Sequence, residues 1–267
     1  MDNKVIISVV IPCYNHGKYL QEAIKSVEEN KGVHSVEIII VNDGSTDEQT
    51  LELFKLIESE GYFVLHQENQ GLATARNNGI ALAKGKYIIP LDSDNQLTKE
   101  YMSTAIDIME KDNEIDIVYG NAEYFGEKTG CWKNQSFNVE KMLFSNHIDA
   151  CAVYRKKVWK DVDGYSHDMP YMGCEDWNFW LKAYSKDKSF YYLDETCFRY
   201  RVLSDSMIRT VAEDFHEKIL AFNIAQLNSF YAQELIKLKY KNENAFGGNV
   251  LKKTTKLILN HFNLYKY

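Results

Sequence analysis

The first 120 residues alternate between two hydrophobic periods, and that alternation limits the folds open to the chain more than any other feature. Val5-Ile-Ile-Ser-Val-Val-Ile11 is apolar at nearly every position, as a strand covered on both faces must be. Tyr19, Leu20, Ala23, Ile24 and Val27 follow, spaced to share one side of a helix. The pattern then repeats. A strand at residues 37–41 precedes a helix at 46–58 with Leu51, Phe54 and Ile57 inward. A strand at 62–65 precedes an alanine-rich helix at 72–83, and a strand at 87–91 precedes a helix at about 99–110. Residues 115–119 form a fifth strand. Parallel neighbours need crossover connections, and helices supply them, so four repeats predict an α/β fold with a mostly parallel sheet and helices on both faces.

Beyond residue 120 the rhythm breaks. Residues 121–150 are polar and aromatic and read as irregular structure with short strands. Residues 151–154, 190–193 and 197–202 read as strands, and Trp177, Trp180, Leu181 and Tyr184 mark a helix beginning near Glu175. A long helical stretch at about 211–240 is followed by a glycine-containing linker at 242–249. The expected division is residues 1–120, then a second half of the same domain at 121–210, then a helical extension at 211–267.

Composition narrows the function classes. With 31 basic and 38 acidic side chains the formal charge is −7, which argues against nucleic acid as the main partner. Cys13, Cys131, Cys151, Cys174 and Cys197 are scattered and odd in number, as expected of free thiols in a reducing compartment. No apolar stretch approaches the ~20 residues a membrane helix needs. A cytoplasmic protein is expected. The segment 250–267 carries four lysines and no acid; it reads either as a basic amphipathic helix making peripheral membrane contact or as a packing helix with a solvated lysine side.

Ligands of open parallel sheets collect beyond the carboxyl ends of the strands. The four loops leaving those ends are Pro12-Cys-Tyr-Asn15, Asn42-Asp-Gly-Ser-Thr-Asp47, Gln67-Glu-Asn-Gln-Gly71 and Asp92-Ser-Asp-Asn95. Each has a local explanation as turn or cap chemistry, yet four polar loops at one rim point to a site. Neither a G-x-G-x-x-G turn nor a P-loop is present. Phosphates bound here therefore call for a cation, and the hard oxygens of Asp92 and Asp94 suit Mg²⁺ or Mn²⁺.

Ser8-Val-Val-Ile-Pro-Cys-Tyr-Asn15, Val41-Asn-Asp-Gly-Ser-Thr-Asp47, Asn69-Gln-Gly-Leu-Ala-Thr-Ala-Arg-Asn-Asn-Gly79, Leu91-Asp-Ser-Asp94 and Cys174-Glu-Asp-Trp177 resemble, in order, the serial motifs of family 2 glycosyltransferases. The similarity spans about residues 5–205. It implies a GT-A fold, with a Rossmann-like nucleotide-binding half and a mixed acceptor-side half, and inversion at the transferred sugar. The donor implied is a nucleoside-diphosphate sugar, most often a UDP-sugar, and the acceptor a carbohydrate or lipid-linked glycan. By the same resemblance Pro12, Tyr14 and Asn15 line the base pocket, with Tyr14 stacking on uracil, and Asp43 accepts from the base. Arg76 approaches the nucleotide or its phosphates. Asp92 touches ribose or metal, Ser93 belongs with the nucleotide contacts, and Asp94 is the metal ligand.

The transfer needs a general base, for which Asp176 is the first choice and Glu175 the second. At a helix start the macrodipole favours the anion, which predicts an ionised but weakened base. Trp177 either packs beneath the acceptor or fills the core. Arg201 is a candidate diphosphate contact, and Leu203 stands where the family frequently has a histidine. His147 lies in an acceptor-side loop, where a lone histidine is most often structural. Two other readings compete: a sugar-1-phosphate nucleotidyltransferase, which would want a basic glycine-rich loop after the first strand, and a catalytically silent partner that binds sugar nucleotide.

Overall fold

The computed structural model describes residues 6–32, 34–203 and 214–241. The expected linker at 242–249 and the basic segment at 250–267 lie outside them. Strand β1 (Ile7–Cys13) is central, with β2 (Val36–Asp43) and β4 (Tyr87–Pro90) parallel on either side and β3 (Phe63–Gln67) parallel beyond β2. Helices α1 (Gly17–Glu29), α2 (Glu48–Ser59) and α3 (Leu72–Leu82) make the crossovers. The β-branched runs alternate sides. Ile7, Val9 and Ile11 enter one core with Ile38, Ile40 and Ile89, whereas Val10 enters the other with Ile39, Val41 and Ile88. Period-two geometry thus splits each continuous apolar run between two cores, and each fully buried aliphatic side chain contributes about 1.5–3 kcal/mol.

The second half adds α4 (Tyr101–Lys111), β6 (Ile117–Gly126), β8 (Val153–Arg155), α7 (Glu175–Ser185) and β9 (Phe190–Val202). Among the described residues nine strands share one sheet, in the order β3-β2-β1-β4-β8-β6-β9-β5, with β7 (Gly130–Trp132) beside β6 and β5 (Gln96–Leu97) at one end. Strands β5, β7 and β8 run antiparallel to their neighbours, so the sheet is mixed in this half.

Several sequence expectations shift. The two strands expected at 190–193 and 197–202 are one strand, β9, whose pairing with β6 slips in register around Asn121. Part of the irregular stretch at 121–150 is the end of β6 and all of β7. Leu51 does not point inward; it is 36% exposed, and Thr50 is buried instead, with its hydroxyl accepting the Gly17 N–H at 2.8 Å. The long terminal helix is two helices, α8 (Phe215–Gln226) and α9 (Asn228–Lys241), divided at Leu227; residues 211–213 lie outside the described set. Strand β5 and the short helices α5 (Val139–Met142) and α6 (Lys156–Asp161) give no periodic signal because they are too short.

Candidate active site

The loops after β1, β2, β3 and β4 meet at one rim and enclose a cavity of about 510 Å³. Asn15, at φ +50°, fastens the first loop to the second. Its Oδ1 accepts the N–H groups of Thr46 and Asp47 at 2.6 and 3.1 Å, and its own N–H reaches Ser45 Oγ at 3.0 Å. Gly44, at φ +73°, lets the second loop touch the third: a Cβ there would lie 2.5 Å from Asn69 N. Asp43 is buried and shapes the third loop, accepting from Gln67 Nε2, Gln70 N and Gly71 N at 2.8–2.9 Å. A carboxylate offers roughly four acceptor positions, so Asp43 keeps about one for a ligand. Pro12, Tyr14, Asp43, Asp92, Ser93, Asp94 and Arg201 all line this cavity, whereas Asn15 lines a smaller hollow of about 270 Å³ beside it. Tyr14 is 48% exposed and open to a stacking partner.

The turn after β4 is held from beneath. Asn95 N donates to the Asp92 carbonyl at 3.0 Å, while Asn95 Oδ1 accepts Arg201 N at 2.9 Å. Arg201 Nε binds the Asp94 carbonyl at 2.9 Å, and its guanidinium lies 4.1 and 4.2 Å from the Tyr19 and Phe125 ring centres. Ser93 hydrogen-bonds the Cys13 thiol, which burial pushes up to about 11. The carboxylates of Asp92 and Asp94 present hard oxygen donors to the cavity. Among the described residues no three His, Cys, Asp or Glu side chains form a metal site by themselves. Two carboxylates completed by diphosphate oxygens is the set that fits Mg²⁺ or Mn²⁺.

Arg76 sits under the rim, 1% exposed, rather than beside open solvent. Its Nη2 binds Asp92 Oδ1 and its Nη1 binds Glu175 Oε1, both at 2.5 Å, and it packs 5.6 Å from the Tyr165 ring centre. One guanidinium on α3 therefore ties the loop after β4 to the start of α7. Glu175 Oε2 also accepts Gly173 N at 2.9 Å, so both of its oxygens are engaged.

A second cavity of about 400 Å³ shares Leu72, Asp92 and Tyr200 with the first. Asp176 lines it, its Oδ1 accepting Trp177 N at 2.7 Å and its Oδ2 accepting Asn146 Nδ2 at 2.8 Å. Burial, reinforced by the nearby Glu175 and Asp149, pushes the Asp176 carboxyl well above the ordinary carboxylate range. This corrects the macrodipole expectation: desolvation and like charge outweigh a helix end, which carries only about half a charge. Asp176 is consequently a stronger base when ionised. Asp149 also lines the cavity and escaped sequence reasoning, because the loop at 143–150 has neither periodicity nor motif. Its Oδ1 accepts Cys151 N at 2.9 Å, and burial together with Asp92 raises its carboxyl to about 7.

Trp177 belongs to the core, 1% exposed, with its indole N–H on the Met142 carbonyl at 2.6 Å. His147 is buried against Phe137, and burial lowers it to about 4, in keeping with a structural side chain.

Residues 8–166, more than half of the chain, match the family described as Glycosyl transferase family 2. Over 154 residues the chain is 38% identical to the glycosyltransferase GlyG of Streptococcus pneumoniae serotype 4, covering 55% of this chain and 50% of GlyG. The chain thus spans half the length of that relative. It is 24% identical over 261 residues to the uncharacterized glycosyltransferase MJ1057 of Methanocaldococcus jannaschii, covering 93% of this chain and 84% of that one. In fold it resembles the crystal structure of S. aureus TarS 1–349 in complex with UDP-GlcNAc. The TM-score is 0.68 at 22% identity, over 91% of this chain and 75% of the TarS chain.

Proposed function

The chain belongs to glycosyl transferase family 2, and from that premise we propose that it moves a sugar from a UDP-sugar to a hydroxyl of a growing glycan, with inversion at the transferred carbon. The first cavity takes the nucleotide. Tyr14 offers a ring for the base to stack on, Asp43 retains an acceptor position for a base N–H, and the diphosphate comes to the turn at Asp92–Asp94. TarS, of similar fold, was crystallised with UDP-GlcNAc and with UDP, which supports a uridine donor here. Asp94 and Asp92 would hold a Mg²⁺ or Mn²⁺ ion, which supplies neutralisation of the departing diphosphate.

The second cavity takes the acceptor. Its hydroxyl oxygen attacks the anomeric carbon, the bond from that carbon to the diphosphate oxygen breaks, and UDP leaves with the electron pair. Asp176 receives the hydroxyl proton. Asn146 and the Trp177 N–H hold its carboxylate in place, and its raised proton affinity suits the task. Glu175 is less suited, since it is ion-paired with the Arg76 guanidinium, whereas both hydrogen-bond partners of Asp176 are neutral. Arg76 acts beneath the chemistry, aligning Asp92 with the helix that carries Asp176.

The observation that carries this reading is the shared wall: Asp92, Leu72 and Tyr200 separate the cavity of Tyr14 and Asp94 from the cavity of Asp176. Titration calorimetry with UDP and Mn²⁺, paired with a UDP-release assay over a panel of UDP-sugars and glycan acceptors, tests it. Asp94→Ala should abolish the metal-dependent part of UDP binding. Asp176→Asn should keep UDP affinity but slow acceptor-dependent UDP release about 100-fold or more, as loss of a general base does. UDP binding with no turnover on any acceptor would instead indicate a silent sugar-nucleotide binder, and full turnover by Asp176→Asn would move the base elsewhere.

A further inference from the structure

The second cavity is asymmetric in its chemistry. One side is aromatic: Tyr124, Trp132 and Tyr200 come from the adjacent strands β6, β7 and β9. Tyr124 pairs in register with Tyr200, and Ala122, two residues before Tyr124, pairs with Trp132, so the three side chains share one face of the sheet. The Tyr124 and Trp132 rings lie within 4° of parallel at 6.4 Å, and Tyr200 meets both edge-on at 6.1 and 6.2 Å. The other side carries Asp92, Asp149, Glu175 and Asp176 against a single cation, Arg76, whose guanidinium is already committed to Asp92 and Glu175. Asp149 and Asp176 are left to face whatever enters. Lys128, which lies over the Tyr124 ring at 3.9 Å, is not among the side chains lining the cavity.

Resting on the transferase reading, we propose that the acceptor ends in an uncharged pyranose, held with its C–H face on the Trp132–Tyr124–Tyr200 wall and with a non-reacting hydroxyl donating to Asp149. Trp132 and Asp149 are then the side chains that set acceptor specificity. Stacked rings match the apolar face of a pyranose, and carboxylates accept from its equatorial hydroxyls. A carboxylate or phosphate on the same sugar would lose its water beside Asp92 and Glu175, whose one cation, Arg76, is already committed to them, and the low-dielectric cavity offers no further cation to replace that water, which selects against it.

Saturation-transfer NMR on the full chain with UDP and Mg²⁺ tests the inference. The probes are the methyl pyranosides of glucose, galactose, mannose and N-acetylglucosamine, together with methyl β-D-glucuronide and glycerol 1-phosphate. At least one neutral pyranoside should bind, with saturation on its ring protons. Trp132→Ala and Asp149→Ala should each weaken it about tenfold, and Trp132→Phe should retain it, which separates a lost platform from a lost fold. The glucuronide should bind at least about tenfold more weakly than the glucoside. Equal binding of the anionic probes, or neutral binding indifferent to Trp132→Ala, would overturn the proposal. UDP affinity measured on the same samples distinguishes the two levels. No UDP binding by wild type sinks the transferase reading, whereas UDP binding without any pyranoside binding sinks the acceptor inference alone.

Discussion

Arg76 brings one positive charge to two carboxylates in a place that water barely reaches. Removing it leaves Asp92 and Glu175 facing each other uncompensated, so Arg76→Met should cost about 3–5 kcal/mol of stability, read from denaturant unfolding. A loss below about 1 kcal/mol, the level of an exposed pair, would show that the guanidinium is not the clamp described here. The family resemblance implied that Arg76 approaches the nucleotide or its phosphates; that its side chain instead binds Asp92 and Glu175, at the start of α7, is a matter of packing no spacing encodes. Asp149 offers a second test. Its carboxyl titrates near 7 in the fold and near 3.9 when unfolded. A group raised in this way contributes stability that is present below about pH 4 and lost as pH rises to about 7. Asp149→Asn should therefore melt with wild type at pH ~4 and above it at pH ~8. A difference independent of pH would contradict the assigned shift.

Among the elements, strands and crossover helices of the first half were readable because each buried run is long enough to show its period. The errors have local causes. Leu51 fits the helical stripe of α2, but Thr50 takes the inward place because its hydroxyl caps the Gly17 N–H. The break between α8 and α9 carries neither proline nor glycine at Leu227 and so gave no signal. Gly79 illustrates an element constraint of the opposite kind. Inside a helix it costs about 1 kcal/mol relative to alanine, yet a Cβ there would come within 2.5 Å of Val10 Cγ1 and 3.0 Å of Val41 Cγ2. The close seating of α3 on β1 and β2 is what carries Arg76 to Asp92. Gly79→Ala should destabilise by about 1–3 kcal/mol despite its better propensity, and should lower UDP affinity with it. A stabilised variant would mean the helix can ride outward at no cost.

At the scale of the molecule, the sheet divides two cores, and the two cavities lie side by side, sharing Leu72, Asp92 and Tyr200. The cavity lined by Tyr14 and Asp94 was legible, since its loops follow strands and carry recognisable motifs. The cavity lined by Asp176 was not, because Tyr124, Trp132 and Tyr200 converge only through the β6–β7–β9 pairing, and Asn146 and Asp149 join them from a loop without periodicity or motif. Helices α8 and α9 join the core beneath it: Asn178 Nδ2 donates to Asn223 Oδ1 at 2.8 Å, and Tyr231 donates to the Leu143 carbonyl at 3.1 Å. Tyr231→Ala should consequently lower a single cooperative calorimetric transition by about 3–5 kcal/mol of stability. A separate early transition, with the main one unmoved, would show these helices to be an independent unit.

The most direct measurement is a crystal structure of the protein with UDP and Mn²⁺. Uracil against Tyr14, the diphosphate at the turn after β4, and the ion on Asp94 are the expected result. An empty rim, or a nucleotide bound away from Asp92 and Asp94, would contradict it.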